Sequence, residues 1–438
     1  YWKLNTSVLK DKKYIELIND AIIRTENFSC KDPVEWWVLM LLNVRYISLE
    51  YTQHKRHTQN ETKKYWKKEL EYLESLPIIS LASNQIRRLN TVQERLKHLE
   101  ELEIEGYRTR TRNLPKYEHS EPNIAFYAKL EKRSIKKNIM HSLKDEEGNT
   151  ATKTKDMIKV ITKFYNSLYS AFPTDSKSQK KLLKNISSTL SQPQRDILDS
   201  PITQEELEKA VNSLNNEKSP GLTGLPAEFY KQFWTTIKER YLEFINHAYL
   251  HSFPSSLNTS VTTLLYKEKG ETENLANYRP ISLINTDIKI ISKTLTNRLK
   301  PMLPFIIHKS QSAVDGRKID HTIHLLRDLI DLANQDGLEA AFIFLDQEKA
   351  FDRVDHKFLY QTMKTFGIGE NFIKWVSQIY DTAVTRVKIN GFLTDPISLE
   401  RGVRQGDPLS FLLYLLNIEL FALKIRENKN IVGFRVGG

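Results

Sequence analysis

The chain has 438 residues, 40% of them apolar and 27% charged. At roughly 150 residues per domain that suits about two to four domains with real hydrophobic cores. Its 15 Gly and 15 Pro exclude a collagen-like or low-complexity chain. The single cysteine, Cys30, excludes an intramolecular disulfide framework and a cysteine-rich zinc domain, and fits a reducing compartment. Lys plus Arg outnumber Asp plus Glu by 65 to 54, a net charge of +11. That balance suggests a polyanionic partner, with nucleic acid ahead of a membrane surface. The sequence opens on Tyr1 without an initiator Met and shows no signal peptide, so an internal piece of a longer protein is expected. The longest apolar stretch, 411–425, is interrupted by Asn417 and Glu419 and is too short to span a bilayer, so a soluble chain is expected.

Residues 1–110 are poor in Gly and rich in Leu, Glu, Lys and Arg, which predicts helix. Leu96, Leu99 and Leu102 recur at near-helical spacing. The segment 51–76 carries Lys63, Lys64, Lys67 and Lys68, either a solvated helix face or a nucleic-acid-facing arm. His54 with His57, and His321 with His324, have a metal-compatible spacing but lack Cys or a third His nearby. Pro115 and Pro122 mark a break at 113–122. Thr203 and Glu206 form a capping-box pair that starts a helix. From 261 the pattern is mixed: a strand at 261–267, a helix through Ile288, Ile291, Leu295 and Leu299 that stops near Pro301, and a helix at 321–334. AFIFL (341–345) reads as a short buried strand. Helices follow at 356–367 and 371–380, then a hairpin around Asn390-Gly391, a pair suited to a type I′ turn. Helix 409–422 is apolar all round and is expected to be buried.

Five segments could carry chemistry. In AFIFLDQEKAFDRVDH (341–356), Asp346 stands where a strand would meet an acidic turn. A carboxylate there can hold a divalent cation, and Gln347 can add an oxygen. Asp352 and Asp355 stand further on, at an expected helix start, and Asp355 suits an N-cap better than a catalytic role. In RGVRQGDPLS (401–410), Arg404 can contact phosphate, Gln405 can hydrogen-bond a base or sugar, and Gly406 allows close backbone approach. Asp407 or Ser410 could instead simply cap the next helix. In NYRPISL (277–283), Arg279 could clamp a triphosphate. The remaining two are SPGLTGLPAEFYKQFW (219–234) and QSAVDGRKIDH (311–321), the latter with Arg317. Each of these last three, taken alone, is better read as a surface loop with solvated charges.

In this order and spacing, the five segments resemble the reverse transcriptase of LINE-type non-LTR retrotransposons. YWKLNTSVLKD (1–11) is similar to the stretch after that family's endonuclease, and 129–149 with FYNSLY (164–169) to its N-terminal extension. The resemblance implies an α+β fold, an incomplete right-hand polymerase preceded by a long helical arm. The parts would be an arm (1–113), an N-terminal extension (114–200), fingers (201–340) and a partial palm (341–438). It implies that Asp346 is a catalytic metal ligand and that Phe351 screens the sugar 2′ position. Arg279 would lie near the triphosphate, Gln405 and Gly406 would position template-primer and nucleotide, and Arg317 would be a second fingers arginine. The cofactor would be Mg²⁺ or Mn²⁺. The partners would be an RNA template, a DNA primer or target and deoxynucleoside triphosphates, with no membrane. The place would be intracellular, in a cytoplasmic ribonucleoprotein and the nucleus.

Three departures stand out. Thr223 and Phe411 occupy positions where the family usually has Asp and Pro. The Ala-Asp-Asp hairpin that supplies the family's other metal-binding aspartates does not occur in the sequence, although IVGFRVGG (431–438) resembles its approach. A chain inactive on its own is therefore expected. Two alternatives stay open: a non-enzymatic nucleic-acid-binding remnant, and a maturase-like intron protein.

Overall fold

The computed structural model describes residues 1–77, 82–111, 124–137, 139–337, 339 and 341–433. The chain forms two compact units, one of Tyr1–Asn43 with Ser142–Gly438 and the other Val44–His141. The break expected at 113–122, and the last five residues, lie outside the described residues.

Residues 1–43 belong with the polymerase-like segments because they are hydrogen-bonded into them. Helix α1 (Lys12–Thr25) and the start of α2 (Pro33–Ser75) face the later chain. Leu4 N–H donates to the Gly224 carbonyl (2.9 Å), and Thr236 Oγ1 donates to Asn19 Oδ1 (3.0 Å). The Trp37 indole donates to Asp287 Oδ1 (2.9 Å) and stacks on Phe244, with centroids 5.2 Å apart. Burying an aromatic ring of this size contributes about 1.5–3 kcal/mol.

In the other unit, α2 from Val44 onward meets α3 (Ser83–Thr111) through Leu73, Val92 and Leu96, with Trp66 and Leu89 beside them. Leu102, expected on the apolar stripe, is 50% exposed. Helix α4 (Ile124–Lys137) follows, with Tyr127 OH accepting from Arg108 Nη2 at 3.2 Å.

The larger unit continues with the short hairpin β1 (Leu143–Lys144) and β2 (Thr150–Ala151). Helices α5 (Thr154–Tyr169), α6 (Ser176–Leu183) and α7 (Gln192–Asp199) come next. Helix α8 (Gln204–Ser213) starts on the expected capping box, with Thr203 Oγ1 accepting from Glu206 N–H and Glu206 accepting from Thr203 N–H. Helices α9 (Ala227–His251) and α10 (Ser255–Asn258) lead to β3 (Thr259–Tyr266) and β4 (Tyr278–Leu283). Helix α11 (Thr286–Leu299) buries the expected Ile288, Ile291, Leu295 and Leu299 completely. Then come α12 (Leu303–Ile306), α13 (Ile319–Gln335), α14 (His356–Thr365) and α15 (Glu370–Tyr380). Asp355 caps α14 by accepting from Phe358 N–H at 2.6 Å. Strands β5 (Val384–Ile389), β6 (Phe392–Leu393) and β7 (Ile397–Ser398) precede α16 (Ser410–Arg426).

The main sheet runs β4-β3-β5-β6, with β7 also on β5. β3 is antiparallel to β4 and parallel to β5, so the chain crosses over between 267 and 383. The hairpin at Asn390-Gly391 has both residues at positive φ (46° and 90°), as a type I′ turn requires.

Two expectations fail. AFIFL is neither a strand nor buried: Ile343 is 81% and Phe344 83% exposed. A strand needs a neighbouring edge for its backbone groups, and an apolar run does not specify that partner. Among the described residues no strand pairs with it, and on β4 the Ser282 N–H is already bonded to the Gln405 carbonyl (2.7 Å). Helix α16 is buried on one side only, with Phe411 (44%) and Phe421 (46%) exposed. No described helix is long and apolar enough to cross a membrane.

Candidate active site

The sequence brings together a tight turn and a loop. The turn 347–353 is made by Lys349 at φ +50°, with Asp352 N–H on the Lys349 carbonyl (2.9 Å). It presses against the loop 401–409: Val403 N–H donates to the Phe351 carbonyl and Gly402 N–H to the Val354 carbonyl, both at 2.7 Å. His356 Nε2 meets the Gly402 carbonyl at 2.7 Å. The C-terminal end of α5 closes the third side, where Arg401 Nε donates to the Leu168 carbonyl (2.7 Å) and Glu400 N–H to the Tyr169 carbonyl (3.1 Å).

Gln405 lies between this turn and the sheet. Its carbonyl holds β4 at Ser282, and its Nε2 donates to Asp352 Oδ2 at 3.3 Å. Gly406 sits at φ +114°, and a Cβ there would come within 2.7 Å of the Ser282 carbonyl oxygen, so a side chain is excluded. Arg279 projects from β4 into solvent, three residues before Ser282. Phe351 stacks on Tyr414 of α16, with ring centroids 5.1 Å and planes 22° apart. The Tyr414 hydroxyl donates to Gln347 Oε1 at 3.0 Å. Burial, and after it the Asp346 charge, raises the Tyr414 phenol above its usual range. Backbone bonds thus hold Gln405 and Gly406 against β4 and the loop against the Phe351 turn, with Gln347 tied to Tyr414.

Other expected residues are placed differently. Arg404 is not a surface arginine. It is 1% exposed, donates to Asn258 Oδ1 (2.9 Å), lies 3.5 Å from Asp407 Oδ2 and sits over the Tyr380 ring. Its guanidinium ties the loop to the core, so it cannot meet phosphate. Arg317 spends its guanidinium on a turn, donating to the carbonyls of His308 (2.6 Å), Gln311 (3.0 Å) and Ile307 (3.2 Å). In the other unit, Lys63 is paired with Glu103 (2.6 Å) and Lys64 with Glu61 (2.8 Å), while Lys67 and Lys68 are exposed.

For a divalent cation the donor type is right and the number is not. Asp346 and Gln347 supply hard oxygens, which suit Mg²⁺. Among the described residues, no three His, Cys, Asp or Glu side chains gather to hold a metal ion, the two His pairs included. One carboxylate does not balance a cation pair.

Asp352 was legible in the sequence only as a helix-start acid. It is 3% exposed and accepts from Gln405 and from the Tyr169 hydroxyl (3.3 Å). Burial pushes its carboxyl up to about 6, against the opposing charges of Lys349, Lys267 and Arg353. Tyr414 was likewise missed, because nothing in an apolar helix marks the one aromatic that reaches a neighbouring turn. The aromatic spacing of Tyr165 and Tyr169, four apart on α5, could have pointed to a buried face there.

Residues 266–434 match the family described as reverse transcriptase (RNA-dependent DNA polymerase). That span contains the turn, the loop and β4. Over 433 residues the chain is 33% identical to the transposon TX1 uncharacterized 149 kDa protein of Xenopus laevis, covering 98% of this chain and 33% of that protein. It is 25% identical over 237 residues to the Pol polyprotein of the type-1 retrotransposable element R2 of Popillia japonica, covering 53% of this chain and 32% of that protein. It is 28% identical over 219 residues to the probable RNA-directed DNA polymerase from transposon BS of Drosophila melanogaster, covering 49% of this chain and 24% of that protein. The chain spans about a third or less of the length of these relatives. Reverse transcriptases generally use divalent metal ions and act on an RNA template, a DNA primer and nucleotides. With the turn, the loop and β4 inside the matched span, the chain belongs to the reverse transcriptases of LINE-type non-LTR retrotransposons.

Proposed function

We propose that residues 201–340 are the fingers and 341–438 a partial palm of a polymerase that copies element RNA into DNA from a nicked DNA primer. The observation that carries this is the lock between turn and loop. Val403 on Phe351 and Gln405 on Asp352 and Ser282 hold an aromatic ring, an amide and a side-chain-free backbone at one corner. Phe351 lies against the deoxyribose 2′ position and excludes a hydroxyl there. Gln405 and Gly406 hold the nucleotide and template, and Arg279 reaches the triphosphate from the sheet edge. Mg²⁺, or Mn²⁺ in its place, is held in part by Asp346 and Gln347 and supplies charge neutralisation when bound. The 438 residues supply one carboxylate to that centre and no Ala-Asp-Asp motif, so on their own they bind nucleic acid without extending a primer. The unit 44–141 is an accessory nucleic-acid-binding arm whose exposed Lys67 and Lys68 face phosphate. The protein works in a cytoplasmic ribonucleoprotein and at nuclear DNA.

The test is primer extension on an RNA template with Mg²⁺ or Mn²⁺. This chain should bind the primer–template and extend it undetectably. The same chain continued through an aspartate-bearing hairpin should extend it. Efficient synthesis by residues 1–438 alone would refute the incomplete-palm reading.

A further inference from the structure

We infer that the Phe172 segment and helix α6 form a track for single-stranded nucleic acid, Phe172 stacking on a base and the α6 lysines holding phosphates. Helix α6 has two unlike sides. Lys177, Lys180 and Lys181, with Lys184 at its C-cap, follow an i, i+3, i+4, i+7 pattern, which puts all four on one face. Leu182 and Leu183 lie off that face and are half-buried, and the helix rests against α14 and α16. All four lysines are exposed, and among the described residues none of them is in an ion pair. Asp175 offsets one of the four charges at most. Its carboxylate is engaged as the N-cap, Oδ1 accepting from Lys177 N–H (2.9 Å) and Oδ2 from Ser178 Oγ (2.6 Å). Net positive charge in a row on a fixed helix holds a phosphate backbone without reading its sequence.

Phe172 supplies what a charged row lacks. Its ring is 67% exposed. Single exposed aromatics are ordinary on a protein surface, but this one is held out stiffly. Pro173 restricts Phe172 to extended backbone. The segment is pinned at both ends, by Ala171 N–H on Glu400 Oε2 (2.7 Å) and by the Asp175 cap. The Arg401 guanidinium stands over the ring, 5.7 Å from its centroid. Phe172 also borders a cleft of about 730 Å³ formed with residues 355–357, Tyr360, 381–384 and 398–400. Asp355, Asp381 and Glu400 line that cleft, each already accepting within the protein, from Phe358 N–H, the Tyr360 hydroxyl and Ala171 N–H. Their charges turn phosphate away from the cleft and toward α6. The cleft therefore receives a base and the helix receives the backbone.

The occupant is a single strand. A duplex keeps its bases stacked on one another and offers a lone ring nothing to stack on, whereas an unpaired base is available. The row from Lys177 to Lys184 is also only about 10.5 Å long, against about 34 Å for one duplex turn. Neither Phe172 nor α6 belongs to the 347–353 turn or the 401–409 loop, so the track extends the nucleic-acid contacts beyond the candidate active site. The class of partner rests on the polymerase reading, and the experiment separates the two.

The full chain is titrated, by fluorescence anisotropy, with a single-stranded RNA of about twelve nucleotides and with a blunt duplex of the same length. The same single strand carrying iodouracil is photocrosslinked, and the adduct is mapped by peptide mass spectrometry. The adduct should fall on Phe172 and persist at that position in Phe172→Trp. Phe172→Ala should weaken single-strand binding about fivefold or more and leave duplex binding within about twofold of the parent. Lys177→Gln, Lys180→Gln, Lys181→Gln and Lys184→Gln together should lower the salt slope of single-strand binding by about 0.7 for each phosphate no longer neutralised. All five side chains are exposed, so circular dichroism should show the variants folded like the parent. An unchanged affinity in Phe172→Ala, or an adduct outside 171–184, overturns the stacking contact. An unchanged slope in the glutamine variant overturns the phosphate contact. Equal weakening of single strand and duplex by Phe172→Ala overturns the single-strand assignment. A chain that binds primer–template without a Phe172 adduct overturns the track and leaves the polymerase reading standing. A chain that gives the adduct but does not bind primer–template refutes the polymerase reading and leaves the track.

Discussion

Replacing Arg298 by Met should unlock the junction between α7 and α8. The Arg298 side chain is 5% exposed and makes a bidentate pair with Glu206, Nε to Oε1 at 2.7 Å and Nη2 to Oε2 at 2.6 Å. Its remaining donors go to the carbonyls of Leu198 (3.1 Å), Ser200 (2.5 Å) and Pro201 (2.8 Å). Methionine keeps the apolar stem and removes every donor. Breaking a buried pair by removing one partner costs about 3–5 kcal/mol. Glu206 is 31% exposed and can regain water, so the lower end, about 3 kcal/mol, is expected. Denaturant unfolding of parent and variant gives the loss, and hydrogen exchange over 196–214 locates it. Burial works to raise the Glu206 carboxyl, but the Arg298 and Thr203 hydrogen bonds carry it below the usual glutamate range. A depressed carboxylate stabilises the fold above its unfolded value, about 4.3, and that contribution is lost as pH falls through the lower folded value. Arg298→Met should therefore also flatten the acid limb of stability. A loss under about 1 kcal/mol, or protection unchanged over 196–214, would refute this account of the junction.

Asp287 is fully buried, accepts from Trp37 and Tyr230 on Oδ1, leaves Oδ2 without a partner, and has its carboxyl raised by burial. Its contribution is present below the ordinary aspartate range and is lost as pH rises through the raised folded value, so Asp287→Asn should reduce the fall in stability with rising pH seen by thermal melting. Charge reversal at Lys67 and Lys68 should weaken RNA binding for all sequences and lower the salt slope by about 0.7 for each phosphate no longer neutralised, measured by salt titration. The same change at Lys63 and Lys64, already paired with Glu103 and Glu61, should do less. Tyr414→Ala removes a ring stack worth about 0.5–1.5 kcal/mol, so in an active polymerase its ribonucleotide incorporation should rise by up to about tenfold, while Tyr414→Phe should stay near the parent.

Local chemistry was the legible part of this fold. The Thr203–Glu206 box, the Asp355 cap and the Asn390-Gly391 turn each depend on a few adjacent residues, and all three are present. What depends on partners distant in sequence was not legible. AFIFL has the composition of a buried strand, but pairing needs another strand's edge, which a residue pattern cannot name. Arg404 reads as a surface cation until Asn258 and Asp407 are seen to enclose it. Motif order singled out the two segments, the Phe351 turn and the 401–409 loop, that the structure packs together. Asp352, Tyr169 and Tyr414 escaped because their roles lie in hydrogen bonds across 53, 183 and 67 residues of chain.

The central claim is that the 346–353 turn and the 401–409 loop form the nucleotide-positioning corner of a reverse transcriptase. The most direct measurement is single-nucleotide extension of a DNA primer on an RNA template by a polymerase-competent chain containing residues 1–438, with Asp346→Asn as the variant. Asp346→Asn should bind the primer–template like the parent and extend it at least a thousandfold more slowly, about 4 kcal/mol of lost transition-state stabilisation. Extension by Asp346→Asn at the parent rate would contradict the claim.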